Sequence, residues 1–115
     1  MCEPWVVVYR HPNPVIRSFL TPNKISAYRV ERFKGPLDED SEKLLKGLGT
    51  IGEMVVREIM AIPGVEELYI KPTEVRMKKN PSVSWEEIER KTIEILNRAL
   101  RRREIRLIKK DKSRT

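Results

Sequence analysis

The order of segments in this chain predicts a two-layer α+β fold, a mostly antiparallel sheet of four to five strands with two helices packed on one face. Three observations predict it. Short β-branched or alternating runs are joined by turns too short for a helical crossover. Two longer stretches carry helical periodicity, one central and one C-terminal. The chain has 115 residues with 39% hydrophobic content, enough for one domain with one core and too little for two.

Trp5 to Arg10 (Trp-Val-Val-Val-Tyr-Arg) is β-branched and aromatic and reads as the first strand. His11-Pro12-Asn13-Pro14 ends it, since two prolines remove backbone donors and Asn favours a turn. Val15 to Leu20 is the second strand, closed by Thr21-Pro22-Asn23. Ile25 to Phe33 alternates imperfectly, with Tyr28, Val30 and Arg32 on one parity, and is expected as an edge strand or extended arm.

Gly35-Pro36 and the acidic run Asp38-Glu39-Asp40 form a loop and a helix start, with Asp40 or Ser41 as the expected cap. Leu44, Leu48, Ile51, Val55 and Ile59 then recur at helical spacing. Gly47, Gly49 and Gly52 weaken that segment and predict a kink or a break between two shorter helices. Ile62-Pro63-Gly64-Val65 closes it, Gly64 suiting a left-handed stop.

Glu66 to Lys71 and Glu74 to Lys79 are two further strands, with Leu68, Ile70, Val75 and Met77 facing the core. After the Asn80-Pro81-Ser82 turn, Ser84-Trp85-Glu86-Glu87 has the form of a capping box. The last helix is expected from Trp85 to about Arg102, burying Trp85, Ile88, Thr92, Ile95, Leu96 and Ala99. Ile105, Leu107 and Ile108 could extend that helix or add a strand.

The net charge of +7 is confined to one end. Arg98, Arg101, Arg102, Arg103, Arg106, Lys109, Lys110, Lys112 and Arg114 are opposed there only by Glu104 and Asp111, which leaves residues 1–97 neutral. The chain therefore divides into a body, residues 1–100, and a basic tail, residues 101–115. The tail, through Arg101, Arg102, Arg103, Arg106, Lys109 and Lys110, is a candidate for weak nucleic-acid binding by counterion release. A solvated helix end accounts for the same cations equally well. No aromatic residue is interleaved with them, which argues against base stacking.

Chemistry-bearing constellations are missing. Cys2 is the one cysteine, so it excludes an intramolecular disulfide and a Cys-x-x-Cys redox pair. As a metal ligand, Cys2 and its copy in a dimer would supply two thiolates to a cluster that usually takes four. His11 is the lone histidine and reads as a turn residue, because a general base needs a partner. Gly47, Gly49 and Gly52 have dinucleotide-fingerprint spacing but lie inside helical periodicity instead of following a strand. The acidic run from Asp38 to Glu42 lacks calcium-loop spacing. The expectation is a protein that is not an enzyme and binds no cofactor by itself. With no apolar run of membrane-spanning length and no basic start followed by an apolar stretch, it is expected to be cytoplasmic.

Several punctuation marks together resemble a known domain. Pro12-Asn13-Pro14 followed by Phe19-Leu20 is similar to the opening of the N-terminal domain of NifU-like (Nfu) iron–sulfur scaffold proteins. The helix closing in Ile62-Pro63-Gly64-Val65, the strand pair after it and Trp85 opening the last helix match that domain in the same order. The resemblance covers about residues 5–100. It implies that fold and a setting in iron–sulfur cluster assembly or delivery, with a scaffold or client protein as partner and any cluster held there. The second, Cys-x-x-Cys-bearing domain of the family is not in this sequence. The stretch from Lys24 to Gly49 is longer and more charged than the family pattern, and the basic tail is additional. Among the matching residues, Pro12, Asn13, Pro14, Pro63, Gly64 and Val65 are expected in turns and Phe19, Leu20 and Trp85 in the core, with a docking surface as the alternative role for each of them.

Overall fold

The computed structural model describes residues 6–27 and 30–114, with residues 102–114 as backbone alone. Five strands, β1 (Val7–Arg10), β2 (Ile16–Leu20), β3 (Glu31–Lys34), β4 (Val65–Lys71) and β5 (Glu74–Lys79), form one antiparallel sheet in the order β1-β2-β5-β4-β3. Helices α1 (Glu39–Gly47), α2 (Gly49–Met60) and α3 (Trp85–Arg114) form the second layer. This is the expected α+β architecture with the upper strand count.

Strand alternation decides which side chains meet the helices. Phe19, Phe33, Leu68, Ile70, Val75 and Met77 point to one face and are essentially inaccessible. They join Leu45, Leu48, Val55, Val56, Ile59, Ile88, Ile95, Leu96 and Ala99 from the helices in a single core. All six residues expected to face the sheet from α3, Trp85 through Ala99, are buried.

Of the two alternatives for the first helical segment, the break holds: the segment is two helices, which makes three on the sheet in place of two, and the break falls at Gly49, whose φ of +89° is the left-handed region that favours glycine. Gly52 is needed for contact, since a Cβ there would lie 2.9 Å from both Leu48 and Ser26. Three local expectations change. The cap of α1 is Asp38, not Asp40 or Ser41: its Oδ1 accepts from the Ser41 amide at 3.0 Å. The third strand is shorter and later than expected, because pairing with β4 places Phe33 opposite Leu68 and buries it. It is the sheet edge, as expected, while Val30 is exposed and Tyr28 lies outside the described residues. At the start of α3, Glu87 turns forward to Arg90 at 2.8 Å instead of back toward Ser84 as a capping box requires.

Gly64 takes the expected left-handed conformation, with φ +97°. The backbone of α3 continues through Ile105, Leu107 and Ile108 to Arg114, so the helical alternative for that stretch holds. Thirty residues make α3 about 45 Å long.

Acid should loosen this fold at identifiable points. The amide and hydroxyl of Ser41 hold the Asp38 carboxyl below its ordinary value. Arg57 does the same for Glu42, and Arg90 for Glu87. A carboxylate whose pKa is depressed by folding contributes stability above its unfolded pKa and loses it as pH falls through the folded value. The denaturation midpoint is therefore expected to hold steady from about pH 7 to 5 and to fall below about pH 4. Asp38→Asn, which still caps, should leave neutral-pH stability nearly unchanged and make the acid decline shallower. Urea titrations of both chains across that range check it.

Candidate functional site

The residues that carry the family-like pattern come from four separate turns and element ends, and the sheet brings most of them to one end of the domain. Asn13 closes the Pro12-Asn13-Pro14 turn twice, its Oδ1 accepting from the Val15 amide at 3.2 Å and its carbonyl from Ile16 at 3.1 Å. The Pro14 carbonyl accepts the Trp85 indole Nε1–H at 2.7 Å, tying the β1–β2 turn to the first residue of α3. The Lys79 amide donates to the Val15 carbonyl at 2.9 Å, and the Asn80 amide to Gly64 at 2.8 Å. Gly64 also packs against Val83 so closely that a Cβ would lie 3.0 Å from it. Val65, just after that turn, is half-buried.

Phe19 and Leu20 lie toward the far end of β2, so they are not part of this cluster. Alternation separates them: Phe19 is wholly buried, and Leu20, at 38% exposure, points to the opposite face. Pro12, Asn13, Pro14 and Pro63 are exposed.

A charged layer surrounds Trp85 that the sequence pattern did not single out. The Arg17 guanidinium sits 4.7 Å from the centre of the Trp85 ring, within cation–π range, and its Nη1 pairs with Glu89 at 2.9 Å. Lys79 is 8% exposed; its Nζ lies 5.9 Å from the same ring and donates to the Asn80 carbonyl at 3.3 Å. Arg17 shares parity with Phe19, and Lys79 shares parity with Val75 and Met77, so both cations fall on the helix-covered side of the sheet. That parity was the available signal. Arg17 Nε is buried with no hydrogen-bond partner among the described residues, a cost that the ring stacking and the Glu89 pair offset.

His11 packs edge-on against Tyr9 at 4.8 Å between ring centres, with Nε2 2.9 Å from Ser18 Oγ. No described carboxylate joins it in a relay. Among the described residues no group of three or more His, Cys, Asp or Glu side chains is arranged to hold a metal ion. Cys2 lies outside them. Gly47 ends α1, Gly49 opens α2, and Gly52 lies in the first turn of α2. In the tail, Arg101 is exposed, and Arg102, Arg103, Arg106, Lys109 and Lys110 are placed on α3 by their backbone. No helix among the described residues is long and apolar enough to cross a membrane.

Comparison with known proteins extends the fold and not the chemistry. No protein-family model and no curated protein sequence matches the chain. Among solved structures, the chain is similar to the crystal structure of protein SAV1430 from Staphylococcus aureus, with a TM-score of 0.58 and 11% identity over 79% of this chain and 96% of that one. It is also similar to the solution structure of a NifU-like protein from Saccharomyces cerevisiae, with a TM-score of 0.56 and 20% identity over 84% of this chain and 79% of that one. The solution structure of SAV1430 gives a TM-score of 0.53 at 11% identity, over 81% of this chain and 89% of that one. At these identities the likeness establishes a shared fold.

Proposed function

We propose that the chain is a non-catalytic accessory domain in iron–sulfur cluster assembly or delivery, acting in the cytoplasm by contact with a scaffold or client protein. One observation carries this reading. A fold shared with a NifU-like protein coincides with a spatial grouping of the Pro-Asn-Pro turn, the Pro63-Gly64 turn and Trp85, the residues by which the sequence resembles that family. Core and turn duty explain each of those residues singly. Their order along the chain, together with the fold, supports the family setting.

In this reading the chain holds no cluster of its own, and any cluster resides on the partner. Affinity capture from native cells with the full chain as bait is expected to recover iron–sulfur assembly proteins. Recovery of ribosomes or RNA alone would overturn the reading.

A second reading, nucleic-acid binding through Arg101, Arg102, Arg103, Arg106, Lys109 and Lys110, draws on the continuation of α3 to Arg114, which arrays these cations on one helix. Its signature is an affinity that falls steeply as salt rises.

A further inference from the structure

The neutral body of this protein is not neutral side by side. Along the helix layer, from α1 to Asn97 of α3, nine carboxylates (Glu39, Asp40, Glu42, Glu53, Glu58, Glu86, Glu87, Glu89 and Glu94) face five cations. The sheet face turned away from the helices has the reverse balance: Arg32, Lys34, Lys71, Arg76 and Lys78 against Glu67 and Glu74.

Strand register arranges that face in rows. The central row crosses all five strands as Tyr9, Ser18, Arg76, Tyr69 and Arg32. The row beside it reads Val7, Leu20, Glu74 and Lys71, and the row on the other side Ile16, Lys78, Glu67 and Lys34. Tyr69 sits between two guanidinium groups, Arg32 at 5.8 Å and Arg76 at 5.9 Å from its ring centre. Both carboxylates are already engaged, Glu67 with Arg32 at 3.0 Å and Lys78 at 3.9 Å, and Glu74 with Lys71 at 3.8 Å. Arg76 and Lys34 make no ion pair among the described residues, and both are exposed.

The same face presents apolar surface. Val7 is 60% exposed, Tyr9 53% and Leu20 38%. A depression of about 220 Å³ opens between Ile16, Tyr69, Arg76 and Lys78. It is smaller than the roughly 300–1,000 Å³ of small-molecule sites and suits one inserted side chain.

We propose that this open sheet face, centred on Arg76 and Tyr69, docks a polypeptide segment of its partner that carries acidic and apolar side chains together. The proposal deepens the protein-contact reading above and rests on it. Tyr and Arg are the residue types that dominate protein–protein hot spots, and the surplus of cations selects an acidic partner and speeds its encounter. A nucleic-acid strand fits less well. Glu67 and Glu74 interrupt the cations and would repel a uniformly charged backbone. Tyr9 and Tyr69 are three strand spacings apart, about 14 Å, too far to hold neighbouring bases.

The test is amide chemical-shift mapping on the full chain with three probes: a short peptide of alternating glutamate and leucine, the same peptide with lysine for glutamate, and a single-stranded oligonucleotide. The glutamate–leucine peptide is expected to shift β1, β2, β4 and β5 saturably. Its affinity should fall about tenfold or more on Arg76→Glu, less on Arg76→Gln, and stay unchanged on Lys43→Glu in the helix layer. Circular dichroism of each variant establishes that it is folded, and Arg76→Gln serves should Arg76→Glu not fold. No saturable shift, shifts confined to α3, a preference for the lysine peptide or the oligonucleotide, or equal weakening by Lys43→Glu would each overturn the proposal. Peptide binding at this face without capture of cluster-assembly proteins would refute the cellular setting and not the surface. Capture that survives Arg76→Glu would refute the surface and leave the setting intact.

Discussion

Replacing Phe19 by alanine is expected to cost the fold about 3–5 kcal/mol, the usual range for emptying a buried phenylalanine site. Phe19 has no accessible surface and lies in register between Val8 of β1 and Val75 of β5. It therefore anchors the edge hairpin to the centre of the sheet. Val75, its register partner on β5, has no accessible surface and belongs to the same close-packed core, so little can collapse into the gap. Against a typical total of about 5–15 kcal/mol, such a loss leaves a marginal protein. Urea denaturation should show a lower midpoint at unchanged slope. A shift worth less than about 1 kcal/mol would mean that Phe19 is not the core residue described here.

Trp85→Ala is expected to cost a similar amount, about 3–5 kcal/mol, for a different combination of reasons. The ring fills the junction of β2, β5 and α3, supports Arg17 at 4.7 Å, and donates its indole proton to Pro14. Without it, Arg17 keeps Glu89 but loses the surface on which its partly buried guanidinium rests. Trp85→Phe separates the contributions. A phenyl ring retains apolar filling and a face for Arg17, and loses the bond to Pro14, worth about 1 kcal/mol because water can reach the exposed turn. The expected order of stability is native, then Phe, then Ala, with the larger step from Phe to Ala. Equal damage from both would assign the value to the hydrogen bond instead of the ring.

The core was legible in the sequence wherever one periodicity ran undisturbed. Leu68 with Ile70, Val75 with Met77, and the Trp85-to-Ala99 stripe were all placed correctly, because period two and period 3.6 each fix a face. Competition between neighbouring residues blurred the rest. Tyr28 and Val30 have high β propensity and drew the third strand early, whereas pairing of Phe33 with Leu68 decided its position. Asp40 and Ser41 were the caps expected for α1; Asp38 caps instead, with the extended backbone a cap needs at φ −125°. The contiguous pair Phe19-Leu20 was grouped as one motif, yet alternation sends the two side chains to opposite faces.

The candidate surfaces were the least legible part. Arg76 and Tyr69 are neighbours only because β4 and β5 pair in one register, and Tyr9 and Arg32 join their row only through the strand order β1-β2-β5-β4-β3. Composition showed a neutral body, and only the assembled sheet separates its acidic side from its basic one. Likewise, Arg17 and Trp85 stand 68 positions apart and meet because β2 runs beside β5, whose end leads into α3.

The central claim, that this domain works by contacting iron–sulfur assembly proteins, is tested most directly by affinity capture under nuclease treatment and at raised salt. Contacts with a protein partner that include buried apolar surface should survive both treatments, whereas polyphosphate binding loses affinity steeply with salt. The account predicts recovery of cluster-assembly proteins under these conditions. Recovery of RNA and ribosomal proteins alone, lost on nuclease treatment or at raised salt, would contradict it.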